Sequence, residues 1–449
     1  MSPLATAVPS SQKAVAETRD RRDLIRRSRL AFDIASRTLT AAIDHEAQTE
    51  HKGRPAPDAG DAPLGAGPLV LEKVVAESTM LLRSGAFLRQ TDDEVACLID
   101  ELAQRLIPHA RGESVLVALC RDPARALDKA AAHIHLTDLG YHDEPFDRLL
   151  AEILEDENVG GERLPNHDLE RRWLKNIWLG VSQGPMVDAD LLGRTCIARP
   201  LDALGSATSD LYAFTHVVLY ASDMGRKPIA LPRPASEIVA DAEAALAAAV
   251  DADNFDLAAE LLWTWPMLGL PWSPAAIFSF GLLADVQDIH GFLPGPGYSA
   301  RVCADLNENQ RDDYVLRTSY HATFVMGFLC LAALQSGLRP PVAAPSKGSS
   351  ARAIDSIMPL LKADSRNSGW HSRFVQLDAG CRESLAEFVL TIALRRARAA
   401  HDLELVRDGL RVALQCGLTD GPVVHQSLDL LRRATLLSEM LSGDDGDSS

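Results

Sequence analysis

The chain has 449 residues, of which 47% are hydrophobic, 24% charged and 5% aromatic, and its formal net charge is −17. This composition is typical of a folded protein that is long enough to bury a sizeable core. The acidic balance argues against nucleic acid as a partner, because nucleic-acid backbones are bound by basic surfaces. No apolar stretch reaches the ~18–20 residues of a membrane span. We therefore expect no membrane partner, no signal peptide and a cytoplasmic protein with reduced cysteines.

The ends of the chain differ in composition from its middle. Residues 1–46 are predicted to be an N-terminal segment with a helix whose start is rich in arginine. This basic start can lie in solvent, on the body of the protein or on a partner. Residues 47–68 are rich in Pro, Gly, Ala and Asp, as in a flexible linker. Residues 443–449 form an acidic tail that we expect to be disordered.

The remaining residues, 69–442, are predicted to be one helical domain. Ala- and Leu-rich segments of helical period alternate with short Gly/Pro breaks, and the alternation typical of strands is absent. The sequence therefore predicts an all-α fold.

Four of the breaks share a spacing, because a Pro follows a Gly by five residues in each. Gly suits the left-handed position that ends a helix, and Pro suits the first turn of the next one. The polar residues Asp143, Ser273 and Asp420 stand just before three of these prolines and can cap the following helix. The strict copies begin at Gly140, Gly180, Gly269 and Gly417, looser copies at Gly225 and Gly337, and further candidates at Gly85 and Gly380.

The spacing between these glycines indicates a repeat. Gly140 and Gly180 are 40 residues apart, and Gly225 and Gly269 are 44 residues apart. A period of about 40 residues is typical of stacked helical hairpins. We predict an α/α helical-hairpin repeat array of six to seven hairpins, either toroid-like or an open solenoid.

Known catalytic and ligand-binding motifs are absent from the sequence. It contains no phosphate loop, dinucleotide fingerprint, HExxH, GxSxG or zinc-type Cys/His cluster. No cofactor and no metal is therefore predicted. A metal held by His216, Asp223 and His321 is an alternative, for which the sequence shows no converging third ligand.

Two helical segments carry ionisable and aromatic groups on one face, a mixture more typical of ligand cavities than of exposed surfaces. A third segment has a Tyr-His pair near its start. Core histidines with satisfied hydrogen bonds are the competing interpretation. The candidate catalytic residues are His216, Asp223, Glu260 and His321, and the candidate substrate-binding residues are Tyr212, Tyr220, Trp263 and Tyr320.

The segments THVVLYASDMG, YHATFVMGFLCLAAL and FVLTIALRRARAAHDL resemble an uncharacterised family of helical proteins from high-GC bacteria. This family is often associated with natural-product gene clusters. The resemblance covers roughly residues 70–440, and its matching polar positions are His216, Asp223, Tyr320 and His321. It implies a place in secondary metabolism and no established activity.

Two functions follow from these observations. The first is a biosynthetic enzyme that applies acid–base chemistry, such as elimination, cyclisation or isomerisation, to a small or carrier-tethered intermediate. His216 would be the general acid or base, oriented by Asp223 or Tyr220, and Glu260 a second proton-transfer group. The alternative is a non-catalytic helical scaffold or a partner-binding subunit of a biosynthetic complex.

Overall fold

The computed structural model describes residues 18–51, 69–155, 162–181, 184–343, 353–361 and 369–443. Within these ranges the chain forms helices, turns and one isolated β-bridge between Thr18 and Pro341, and no strand. The predicted all-α class is confirmed. Residues 1–17, most of the predicted linker and the tail from residue 444 lie outside the described residues.

Short 3₁₀ helices lie between the α-helices, at Ala86–Gln90, Pro123–Arg125, Cys196–Ala198 and Met358–Leu361. In chain order, the α-helices are α1 (Arg21–His51), α2 (Leu71–Gly85), α3 (Asp93–Ala110), α4 (Glu113–Arg121), α5 (Ala126–Asp138), α6 (Glu144–Glu155), α7 (Pro165–Trp178), α8 (Ala189–Arg194), α9 (Thr208–Ala221), α10 (Ala235–Asp251), α11 (Phe255–Leu262), α12 (Thr264–Leu268), α13 (Pro274–His290), α14 (Ala300–Ala304), α15 (Glu308–Gln335), α16 (Ala353–Ile357), α17 (Gly369–Gln376), α18 (Ala379–Ser384), α19 (Ala386–Ala399), α20 (Leu403–Cys416) and α21 (Pro422–Gly443).

The glycines of the predicted breaks end helices in the left-handed conformation. After α12, for example, Gly269 has a φ of 68°, and the N–H of Leu270 donates to the Trp265 carbonyl at 2.9 Å. This is the geometry that closes a helix end and favours glycine. Gly85 and Gly380 instead lie within α2 and α18. Positive φ values occur at the other strict and looser copies, Gly140, Gly180, Gly225, Gly337 and Gly417.

Two of the three predicted caps begin helices as expected. The Asp143 carboxylate accepts a hydrogen bond from the N–H of Phe146 at 3.0 Å, and the Ser273 hydroxyl accepts one from Ala276 at 3.2 Å. Each bond satisfies an N–H that the first turn leaves without a partner. The Asp420 carboxylate instead accepts a hydrogen bond from the Thr419 hydroxyl.

Six helices, which we call the inner helices, contact one another in a cyclic order. The order is α2, α5, α7, α9, α11 and α15, and α15 contacts α2. Helices α2 and α5 are parallel, because Glu72 pairs with Lys129 at their starts and Arg83 pairs with Asp138 at their ends. The sequence leaves a toroid-like array and an open solenoid as alternatives, and a cyclic order of contacts is typical of the first. The hairpin repeat and its toroidal arrangement stay predictions.

Helix α1 lies antiparallel along α15 and also contacts α2. Arg37 in its second half lies 3.5 Å from Asp312 near the start of α15. Gly327, farther along α15, faces Ala31, and a Cβ at Gly327 would lie 2.5 Å from the Ala31 Cβ. Because glycine has no side chain, the two backbones can approach closely at this point.

The arginine-rich start of α1 docks on the body of the protein through Arg27. This side chain is 1% exposed and donates to Gln287 at 2.7 Å and to Asp288 at 2.8 Å, both at the end of α13. Arg26 also pairs with Asp288 at 2.9 Å. Of the three placements open from the sequence, docking is the one found for Arg27. The predicted segment boundaries at residues 46 and 68 stay predictions.

By length and composition, helix α15 could cross a membrane, whereas the sequence predicts no membrane span. The most apolar part of this helix is 78% buried inside the protein. The central helix of a folded domain has the same properties, so one such helix is weak support for a membrane span.

The C-terminal helices lie outside the inner helices. Within the described residues, α19 and α21 contact α10, and α17 contacts α13. The candidate residues all precede this region, since the last of them, His321, lies in α15.

Candidate functional site

Helices α9 and α11 place polar side chains against one another. Tyr212 and His216 are four residues apart on α9, and Asp256 and Glu260 are four residues apart on α11, so each pair shares a face. The Tyr212 hydroxyl donates to Asp256 Oδ2 at 2.6 Å. His216 Nε2 lies 3.7 Å from Glu260 Oε2, which also accepts a hydrogen bond from the Thr215 hydroxyl.

His321 of α15 completes this group from the other side. Its Nε2 lies 3.8 Å from Asp256 Oδ1 and 3.8 Å from Glu260 Oε1. Its Nδ1 lies 3.3 Å from Oε1 of Glu77, which belongs to α2. We call Glu77, His216, Asp256, Glu260 and His321 the carboxylate–histidine group. Four of the six inner helices contribute to it.

Two tyrosines border the group, and each is hydrogen-bonded to a carboxylate. The Tyr220 hydroxyl is hydrogen-bonded to Glu170 of α7, and the Tyr320 hydroxyl to Glu77. Burial, followed by the negative charge of each partner, raises the pKa of both phenols. Both therefore stay neutral donors at physiological pH. The ring of His216 lies between those of Tyr212 and Tyr220, with centroid distances of 6.4 and 5.8 Å.

The two histidines border accessible space, whereas the carboxylates between them do not. The side chain of His216 is 39% exposed and that of His321 is 36% exposed, although both face neighbouring inner helices. Those of Asp256 and Glu260 are 5% and 1% exposed. The accessible surface of this group therefore belongs mainly to the two imidazole rings.

A cavity of about 570 Å³ lies between the first halves of α2 and α5 and the end of α3. Its wall does not include the two histidines. It approaches the group through Asp128, whose charge adds to burial in raising the pKa of Glu170. The volume is within the range of small-molecule sites.

The surroundings of both histidines favour the imidazolium form. Burial lowers the pKa of His321, but the charge of Glu77 and hydrogen bonding to Glu260 and Glu77 outweigh it and raise this pKa well above its usual value. Burial likewise lowers the pKa of His216, and the hydrogen bond and charge of Glu260 raise it further than burial lowers it. Both rings can therefore carry a proton at neutral pH.

The carboxyl groups divide into two classes. Burial raises the pKa of Glu260 and of Glu77, but the adjacent imidazolium ions outweigh burial and lower both pKa values. Burial dominates at Asp256 and at Glu170, whose pKa values are raised. Neighbouring titratable groups with opposite shifts are characteristic of sites that transfer protons.

Residues 41–331 match a family described as a domain of unknown function, DUF6895. The chain belongs to this family. No curated protein and no solved structure matches the chain. The expectation of an uncharacterised family is confirmed. Its source in high-GC bacteria and its association with natural-product gene clusters stay predictions.

The DUF6895 match contains the whole carboxylate–histidine group and ends near the end of α15. It also contains all eight residues predicted as catalytic or substrate-binding. The structure brings six of these together, namely Tyr212, His216, Tyr220, Glu260, Tyr320 and His321.

The other two predicted residues lie elsewhere in the DUF6895 region. Asp223 accepts hydrogen bonds from Arg83 at 2.6 Å and from the Trp173 indole at 2.8 Å. The structure therefore does not bring Asp223 to His216 and His321 as a metal ligand or an orienting group. Trp263 is buried in the hydrophobic core.

Three carboxylates of this site, Glu77, Glu170 and Asp256, are absent from the residues predicted from the sequence. Glu77 carries the clearest signal, because it interrupts the apolar run of α2 at VVAESTMLL. An acid on the buried face of a helix requires a charged partner. Its partner, His321, is 244 positions later and could not be assigned from the spacing.

Proposed function

We propose that the protein is an enzyme that applies acid–base chemistry to a small molecule bound between the inner helices. One observation carries this proposal: the buried carboxylate of Glu260 lies between two histidines that border accessible space, with Nε2–oxygen distances of 3.7 and 3.8 Å. A general acid must reach its substrate and must also be held in its protonated form, and this arrangement meets both conditions.

His216 is the proton-transferring group in this proposal. Glu260 stabilises its imidazolium form, from which a proton can pass to a bound molecule. Glu170, whose pKa is raised by burial, is the second group proposed to exchange a proton. Elimination, cyclisation and isomerisation can proceed by such transfers alone, so these reaction classes fit the groups present.

The substrate class follows from the aromatic rings around the two histidines. Tyr212 and Tyr220 pack beside His216, and Tyr320 packs beside His321, which is typical of sites for small organic molecules. A role in secondary metabolism, on a small or carrier-tethered intermediate, rests on the resemblance stated above. We propose that the enzyme works inside the cell.

The second candidate function is a scaffold or partner-binding subunit. It is favoured by one observation, a set of exposed apolar side chains near the end of α21, at Leu436, Leu437, Met440 and Leu441. Contiguous exposed apolar surface can mark a protein-binding site.

The enzyme proposal is tested by small-molecule profiling in the organism that encodes the protein. We expect cells that carry His216→Ala or Glu260→Gln to accumulate the substrate and to lose the product, because each change should lower the reaction rate by about 10²–10⁴-fold. His425→Ala, on the exposed face of α21, is the matched control and is expected to leave the profile unchanged. Thermal midpoints of the purified variants verify folding.

Identical small-molecule profiles in the wild type and His216→Ala would reject the proposal that His216 is the proton-transferring group of an enzyme. A partner protein that co-purifies with the wild type, and is lost in the Leu437→Asp variant, would favour the scaffold instead.

A further inference from the structure

Three donor atoms of the carboxylate–histidine group converge on one point. Asp256, Glu260 and His321 each offer one atom, and these atoms lie within 4.8 Å of one another. We propose that these three residues bind one divalent transition-metal ion. This inference rests on the proposed function for the chemical role of the ion, and its test needs no substrate.

The separations fit a metal after a small movement of side chains. His321 Nε2 lies 3.8 Å from Asp256 Oδ1 and from Glu260 Oε1. Ligands at ~2.0–2.2 Å from a zinc-type ion are separated by roughly 3.0–3.6 Å. The two contacts of His321 therefore have to shorten by a few tenths of an ångström, which rotation of the side chains can supply, and the two carboxylate oxygens lie within 4.8 Å of each other.

The second polar atom of each ligand faces another residue. Asp256 Oδ2 accepts from Tyr212 at 2.6 Å, and Glu260 Oε2 accepts from the Thr215 hydroxyl. His321 Nδ1 lies 3.3 Å from Glu77 Oε1. A histidine whose second nitrogen faces a carboxylate is the usual arrangement in metal sites, since the carboxylate fixes the tautomer and orients the ring.

An independent observation comes from Asp256 Oδ1. The Asp256 side chain is 5% exposed, and its Oδ1 is buried and has no hydrogen-bond donor among the described residues. An ionised oxygen buried without a donor is costly. This atom points towards Nε2 of His321, where a cation would satisfy it. The other oxygen, Oδ2, already has its donor in Tyr212.

The ligand set favours a transition metal over magnesium or calcium, because imidazole suits zinc, cobalt, iron and nickel. The 36% exposure of His321 leaves room for water or substrate to complete the coordination. A bound ion would polarise an oxygen of the substrate beside the His216 proton donor.

The proposal is tested by calorimetric titration of the full-length protein, treated with a chelator and then with zinc chloride at mildly alkaline pH. We expect one ion per chain and much weaker binding of magnesium chloride. Asp256→Asn and His321→Gln are expected to weaken zinc binding by more than about 100-fold. Glu77→Gln changes the carboxylate that faces His321 Nδ1 and leaves all three ligands in place, so it is expected to weaken zinc binding by roughly 10–100-fold.

The controls are Asp408→Asn and His425→Gln, which change the same residue types on exposed surfaces and should keep the wild-type affinity. Thermal midpoints without zinc verify that each variant folds. Absence of zinc binding in the wild type would overturn the proposal, as would equal affinity in Asp256→Asn and His321→Gln.

His216→Ala separates this inference from the proposed function. It is expected to keep zinc binding while it loses turnover. If His216→Ala binds zinc and leaves the small-molecule profile unchanged, the metal site is retained and the acid–base role of His216 is rejected. A changed profile in His216→Ala, with no zinc binding in the wild type, would retain the enzyme and reject the metal.

Discussion

The inner helices carry two buried groups of charged residues that differ in how completely their charges are paired. Near the helix ends, Arg83 binds Asp223 at 2.6 Å and Asp138 at 2.8 Å, and the Trp173 indole donates to Asp223. We call these four residues the Arg83 group. In the carboxylate–histidine group, by contrast, a buried oxygen of Asp256 has no donor among the described residues, and two imidazoles border open space.

This difference separates charges that hold the structure from charges that can act on a ligand. A guanidinium and a carboxylate that satisfy each other have no capacity left for a third molecule. Carboxylates that outnumber their cationic partners retain that capacity, and their pKa values are shifted in opposite directions. Acidic residues in similar burial therefore have different expected roles.

The largest expected effect is on the Arg83 group. Asp223→Asn keeps a side chain that tolerates the left-handed backbone at this position, where φ is 48°, and removes the charge that pairs with Arg83. We expect a loss of about 3–5 kcal/mol in the free energy of unfolding, because Arg83 is left buried without this partner. Denaturant titration measures this loss. A change below about 1 kcal/mol would show that Asp138 alone suffices for Arg83.

The next effect concerns pH and the carboxylate–histidine group. The pKa of His321 is raised in the folded protein, so its stabilisation is fully present below its unfolded value of about 6.5 and is lost as pH rises through the folded value. In metal-free protein we expect unfolding free energy to decline with rising pH, by up to about 1.4 kcal/mol per pH unit for one proton.

Denaturant titrations across pH measure this decline in the wild type and two variants. His321→Gln should remove most of it, whereas His425→Gln should preserve it. An unchanged decline in His321→Gln would assign the effect to another titrating residue.

The smallest change in unfolding free energy is expected for Asp256→Asn, which makes the same substitution as Asp223→Asn in the other buried group. Burial raises the pKa of Asp256, so its ionised form at neutral pH costs stability in the folded protein. Asp256→Asn removes that cost and keeps an oxygen that can accept from Tyr212. We expect the free energy of unfolding to stay within about 1 kcal/mol of the wild type. A loss as large as that of Asp223→Asn would mean that both groups are structural.

The sequence predicts the helices well because their signals are local. Glycine at left-handed positions and capping residues before prolines act within one turn, and they appear where expected at Gly269 and Ser273. The partners in the carboxylate–histidine group come from distant helices. Glu77 and His321 meet only because α2 contacts α15, which no local spacing indicates.

Asp223 and Trp263, the two predicted residues that lie apart from the carboxylate–histidine group, both follow the last residue of a helix. Helix α9 ends at Ala221, and Asp223 follows in a left-handed conformation that turns its side chain toward Arg83. Helix α11 ends at Leu262, and Trp263 lies between α11 and α12 with its side chain buried in the hydrophobic core.

Helix α1 has a consequence for how the chain can be divided. It spans the junction at which the last inner helix, α15, meets the first, α2, and it covers apolar surface on both. The family match starts at residue 41, within α1. A fragment that begins at residue 41 would keep every residue of the carboxylate–histidine group but would lose most of α1, which covers the contact between α15 and α2. We therefore expect the unit that folds to extend beyond residues 41–331 and to include the docked Arg27.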